Sequence, residues 1–154
     1  MHVYLIRHAE AEDTTPDRLR RLSKHGRNQT RALAKFLRRS EAFAPEEIWH
    51  STLVRAQETA ALLSVGLKLP VPLREVADLA PDDDPHRIAR QLATSRRTIA
   101  IVGHEPHLGA LASLLVTGTP EPVRFAMKKG ATLSLEGAGR HWVVCWHVCP
   151  ALLG

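Results

Sequence analysis

Arg7 and His8 stand side by side, directly after the apolar run His2-Val3-Tyr4-Leu5-Ile6. A run rich in β-branched and aromatic residues reads as a buried strand, and here it ends in a polar site. The pair suits phosphate chemistry. A guanidinium grips two oxygens at once, and an imidazole serves as nucleophile or proton carrier. Two further candidates follow short apolar runs: Arg55 lies just after Ser51, and His104 just after Val102-Gly103. A phosphoryl group in transfer spreads its charge over three equatorial oxygens, so its catalysis is mostly positioning and electrostatic stabilisation. Arg7 and Arg55 supply permanent positive charge, and a protonated His104 adds another donor. His8 is then the nucleophile that forms a covalent phosphoenzyme. For that, one ring nitrogen must be neutral and face phosphorus while the other donates its proton to a fixed acceptor.

Alternating strands and helices must hold these groups. Ser23 caps a helix to about Arg39, with Thr30, Leu33, Phe36 and Leu37 inward, although Gly26 early in it is unfavourable. After Pro45 comes a strand from Glu47 to about Ser51, then a helix from about Leu53 to Ser64 with Ala56, Ala60 and Leu63 inward. Val71-Pro72-Leu73 is a short edge piece. Asp84-Pro85 starts a helix that buries Ile88 and Leu92. Thr98 to Val102 is continuously apolar, as a central parallel strand is, and Pro106 starts a further helix with Leu108, Leu111, Leu114 and Leu115 apolar. Val123 to Met127, Ala131 to Leu135 and His141 to Val148 read as strands that pair as neighbours at one side of the sheet. The pattern predicts an α/β fold, three-layer α/β/α, with a mixed, mostly parallel central sheet. Ligands bind beyond the carboxyl ends of such strands, where Arg7, His8, Arg55 and His104 should converge. Helices beginning near Thr52 and Pro106 would point their positive ends at an anion there.

The 154 residues are read as a single domain, 1–154, ordinary for a globular chain at 44% hydrophobic and 24% charged. No stretch is long and apolar enough for a membrane span and no signal peptide opens the chain, so no membrane contact and a cytoplasmic location are expected. Cys145 and Cys149 lie four apart in a predicted strand, about 13 Å, too far for a disulfide. They read as plain core or half-buried thiols, and no residue set has metal spacing, so neither metal nor cofactor is expected. The net charge of +5 is scattered over Arg18, Arg20, Arg21, Arg38, Arg39, Arg96, Arg97, Lys128 and Lys129 without interleaved aromatics. A basic surface plus a phosphate pocket explains it better than nucleic-acid binding.

Arg7-His8-Ala9-Glu10, the segment Ser51 to Thr59 around Arg55, and Val102-Gly103-His104-Glu105-Pro106 resemble, in order and spacing, the three signatures of the histidine phosphatase (phosphoglycerate mutase-like) superfamily. The short chain and its Gly-His-Glu-Pro form look most like the small phosphohistidine phosphatases of the SixA type. Arg20-Arg21-Leu22-Ser23 with Gly26 is similar to a further family segment, with Arg21 in place of a proline, and Ala9 replaces the usual glycine. The resemblance implies that His8 accepts the phosphoryl group and that Arg7, Arg55 and His104 form the pocket. Larger members carry an acidic proton donor in a middle segment that this chain barely contains. Asp78 is the nearest candidate, with Asp82, Asp83 and Asp84 read as loop and cap residues. Arg20 and His107 are candidate substrate contacts, His107 near the pocket mouth.

The favoured reading is a metal-independent phosphatase that binds phosphate or sulfate anions and acts on phosphohistidine of a partner protein. An imidazole leaving group needs less protonation than a sugar alkoxide, and a short chain lacks room for a large lid. A broad phosphomonoesterase on small metabolites is the enzymatic alternative, and a non-catalytic phosphate-recognition module the alternative of a different class. The chain is expected to be a monomer.

Overall fold

The first strand, β1 (His2–Arg7), has four consecutive buried residues because it lies between two neighbours with both faces covered. The computed structural model describes residues 1–68 and 70–153. Along the chain follow α1 (Lys24–Ser40), β2 (Glu47–His50), α2 (Val54–Leu67), β3 (Leu73–Glu75) and α3 (Pro85–Thr94). Then come β4 (Ile99–Gly103), α4 (His107–Thr117), β5 (Thr132–Ala138) and β6 (His141–Val148). The six strands form one sheet in the order β3-β2-β4-β1-β5-β6. The first four are mutually parallel, and β5 and β6 are antiparallel additions beside β1.

Strand alternation sorts the core into two layers. Leu5, Ile99 and Ile101 face Ile88 and Leu92 of α3 and Leu108 and Leu111 of α4. Tyr4, Ile6, Ala100 and Val102 face Leu33 and Leu37 of α1 and Ala60 and Leu63 of α2. This is the three-layer arrangement with a mixed, mostly parallel sheet that the residue pattern predicts. No described helix is long and apolar enough to cross a membrane.

Several local expectations are corrected. Val123 to Met127 forms no strand: both edges of β1 are already paired with β4 and β5, and side chains pin this segment instead. The Ser113 hydroxyl accepts from the Arg124 amide at 2.8 Å, and the Met127 carbonyl accepts from Arg7. Phe36 is exposed because α1 turns Leu33, Ala34 and Leu37 inward. The third strand starts only after Pro72, which has no N–H to offer a ladder. Cys145 is exposed and Cys149 half-buried, both as free thiols, so Cys145 is not a core residue. Gly26, awkward on helix propensity, lies against the loop before α1, where a Cβ would collide with the Glu10 carbonyl oxygen. That carbonyl accepts from both the Ser23 amide and the Ser23 hydroxyl, while the same hydroxyl caps α1 by accepting from the Gly26 amide.

Candidate active site

Register places the two central histidines. β1 and β4 run parallel with Arg7 opposite Gly103, so His8 and His104 leave the sheet as neighbours, ring centroids 4.9 Å apart. The His8 amide donates to the Gly103 carbonyl at 2.9 Å. On the other side of β4, the Ser51 amide donates to the Val102 carbonyl, and Ser51 Oγ lies 2.6 Å from His104 Nε2. Arg55 is the second residue of α2, directly after this turn.

The His8 ring is fixed by its own loop. Its Nδ1 lies 2.7 Å from the Ala9 carbonyl, an acceptor only, so Nδ1 carries the proton and Nε2 keeps its lone pair. The Ala9 peptide is itself held, because its amide donates to Thr59 Oγ1 at 3.1 Å while that hydroxyl donates to the Arg55 carbonyl. Burial pushes the His8 pKa down to about 4, opposed by the Ala9 carbonyl and aided by the charges of Arg55, Arg7 and Lys129. His8 is therefore neutral at pH 7, as a nucleophile must be. His104 is lowered to about 3, first by burial and then by His8 and Arg55. Before an anion arrives His104 is thus a neutral ring, and the donor it can add when protonated waits on the anion. An arriving anion raises both values, since opposite charge favours the cationic form.

Arg7 reaches the site from the strand end, with Nη1 donating to the Met127 carbonyl at 3.0 Å. Arg55 Nη1 donates to the Asp17 carbonyl at 2.9 Å, and its Nη2 to the Asp17 carboxylate at 3.3 Å. The Nε atoms of Arg7 and Arg55 and the Nδ1 of His104 are buried and make no hydrogen bond among the described residues. A buried cluster this short of acceptors favours a ligand rich in them, an oxyanion.

A family model described as the histidine phosphatase superfamily (branch 1) matches residues 3–80. The chain belongs to the histidine phosphatase superfamily. It is a hydrolase of that superfamily, and Arg7, His8 and Arg55 fall inside the matched span while His104 lies beyond it. Its fold is that of the protein histidine phosphatase SixA solved with tungstate, at 24% identity, TM-score 0.88 and full coverage of both chains. A putative phosphohistidine phosphatase SixA from Agrobacterium tumefaciens matches at 19% identity and TM-score 0.80 over 97% of each chain. A putative alpha-ribazole-5'-P phosphatase from Escherichia coli matches at 17% identity and TM-score 0.77 over 94% of each. No curated protein matches the chain.

The other predicted site residues of this histidine phosphatase are placed differently from the four central ones. Asp78 pairs with Arg87 of α3 at 2.9 Å and makes no hydrogen bond to His8, Arg7, Arg55 or His104. Arg20 donates from Nε to the Glu12 carbonyl and from Nη1 to the Asp17 carboxylate, so it holds the loop that leans on Arg55. His107 is buried rather than at the pocket mouth, because it opens α4 on that helix's inward face. Only 1% of it is exposed. Burial lowers its pKa against the pull of Asp83, Asp84 and Asp78.

Two residues were not anticipated. Asp17, in the short 3-10 turn Asp17–Leu19, is the carboxylate that touches a central cation. Thr59, the last residue of the second sequence signature, secures the amide of Ala9, the residue whose carbonyl orients His8. Spacing within the signature was the available signal for Thr59. Asp17 had none, since its role depends on a loop folding back over Arg55.

Proposed function

We propose that this histidine phosphatase removes the phosphoryl group from phosphohistidine on a partner protein, by way of a phosphoenzyme on His8. The observation that carries the reading is the His8 ring itself: Nδ1 is committed to the Ala9 carbonyl and Nε2 is neutral and nucleophilic. In the first half-reaction Nε2 bonds to phosphorus and the substrate's P–N bond breaks. The departing imidazole carries off the electron pair, and a proton already on its other ring nitrogen makes it a good leaving group. Arg7 and Arg55 offset the charge on the equatorial oxygens, so no step is routed through a metal. His104, its pKa raised by the bound anion, adds a donor as the transfer proceeds.

In the second half-reaction a water oxygen bonds to phosphorus, the P–Nε2 bond of His8 breaks, and inorganic phosphate leaves. The water's proton goes to the Asp17 carboxylate. Burial nudges that carboxyl up, but hydrogen bonds and charge from Arg20 and Arg55 outweigh it and hold the group below the usual range. An ionised carboxylate suits this base and not the acid that an alkoxide leaving group requires. The likeness to SixA structures supports the same substrate class, and the likeness to the ribazole phosphatase supports the alternative, a small phosphoester with Asp78 as proton donor.

A panel of a phosphohistidine-bearing protein, a sugar phosphate and an aryl phosphate tests the reading. The first should turn over fastest, with a trapped intermediate stable in base and labile in acid. His8→Ala should abolish both turnover and trapping. An active His8→Ala variant overturns the nucleophile, and preference for the sugar phosphate overturns the substrate class.

A further inference from the structure

At the far end of β1 from the catalytic histidine, three neighbouring strands each contribute one metal-ligating side chain. His2 begins β1 and stands directly opposite Glu136 of β5. β6 pairs with β5, but its register slips between Ser134 and Leu135: Ser134 faces Trp146 while Leu135 faces Val144. Cys145 is the residue left over. Such a bulge re-aims a side chain, and here it turns the thiol to the face that carries Glu136. His2 Nε2 lies 3.9 Å from Glu136 Oε1, and Cys145 Sγ lies 3.9 Å from Glu136 Oε2. One ligand atom from each of the three side chains falls within 4.8 Å of the other two.

We infer that His2, Glu136 and Cys145 form a binding site for a zinc-class divalent cation. Tetrahedral zinc takes sulfur at about 2.3 Å and nitrogen or oxygen at about 2.0–2.2 Å, which sets ligand atoms about 3.3–3.7 Å apart. The present separations close to that by side-chain rotation alone, since all three groups are at least partly exposed. One thiolate, one imidazole and one carboxylate suit zinc and its neighbours, whereas calcium and magnesium prefer all-oxygen sets. The fourth position is open to a cavity of ≈ 460 Å³ walled in part by Tyr4, Glu41, Ser134 and Trp146. No spacing along the chain announces the site, because its ligands are 9 and 134 residues apart and meet only through strand pairing.

The cation would tie β1, β5 and the edge strand β6 together. Five residue steps of β1, about 16 Å, separate His2 from Arg7, so the site stands apart from phosphoryl transfer. It fixes the hairpin and supplies no group to the reaction. Binding must displace the thiol proton, so affinity falls as pH falls.

Titration of the untagged protein with Co²⁺ reads the coordination directly. The expected result is one equivalent bound, with intense tetrahedral d–d bands and a thiolate-to-cobalt charge-transfer band, both bleached by Zn²⁺. Cys145→Ser should remove the charge-transfer band and lower Zn²⁺ affinity at least tenfold. His2→Ala should weaken binding similarly, while Cys149→Ser leaves it unchanged. Circular dichroism on each variant separates loss of a ligand from loss of fold. Absence of a thiolate band in the parent protein, or affinity unchanged by both Cys145→Ser and His2→Ala, overturns the site and assigns any binding to scattered surface histidines.

Discussion

Two loops offer a carboxylate near the strand ends, and they differ in which arginine receives it. Asp17 reaches Arg55, one of the phosphate-binding candidates, and is steadied there by Arg20. Asp78 reaches Arg87, an exposed residue of α3, and its backbone takes the left-handed conformation with φ 69°. The first contact couples an exposed acidic group to a buried cation, since Arg55 is largely shielded from water while the Asp17 side chain is mostly exposed. The second fastens a loop to a helix. A carboxylate's role is thus set by the charge it faces and by what else that charge must hold, and proximity in sequence to a signature says little about either.

Arg55→Ala breaks the comparison most severely. It removes the cation that Asp17 contacts and that is proposed to hold the phosphoryl oxygens, and kcat/KM should fall by about 10²–10³. Unchanged kinetics would show that Arg55 serves the loop alone. Asp17→Asn should lower kcat by about 10²-fold through the loss of a base. Quenched-flow trapping should then show phosphoenzyme accumulating. A loss confined to the burst phase would instead assign Asp17 to the first half-reaction. Thr59→Val leaves the Ala9 amide buried without an acceptor, costing about 1–3 kcal/mol, divided between stability and turnover as the Ala9 carbonyl shifts from His8. Denaturation midpoints and kcat measured together resolve that division. Asp78→Asn should change phosphohistidine turnover by no more than about twofold, as for a surface contact. A large loss with the sugar phosphate only would restore Asp78 as proton donor for esters with alkoxide leaving groups.

Stability should also depend on pH. Burial pushes folded His8 down to about 4 and His104 down to about 3, below the value of about 6.5 for an unperturbed imidazole. As pH falls below 6.5 the unfolded chain binds protons that the folded chain refuses. The stability these two rings contribute is present above that value and is lost as pH falls, down to about pH 4 for His8 and about pH 3 for His104. Each contributes a slope of up to about 1.4 kcal/mol per pH unit. His104→Asn should flatten the dependence measured by urea denaturation, and an unchanged slope would mean that the ring is solvated.

The four central residues were legible because each sits at a strand's last residue or within five positions beyond it, and parallel strands bring their ends together. The layers were legible from the same alternation that buries Ile99 to Val102 on both faces. Asp17 and the Val123 to Met127 segment were not. A polar loop carries no periodicity to say which cation it will meet, and a β-rich segment cannot signal that the edges it would pair with are already taken. His107 misled in the opposite sense: three residues past His104 places it near the site in sequence, but the first turn of α4 carries it inward.

Gly26 shows how a helix boundary can govern a catalytic loop. On an isolated helix, alanine for glycine is a gain of about 1 kcal/mol. Here the added methyl group would wedge α1 away from the Glu10 carbonyl, two residues beyond His8, the proposed nucleophile. Routine helix-strengthening at this position should therefore loosen the protein and slow it at once, marking Gly26 as a position that thermostabilisation by consensus helix propensity must leave alone.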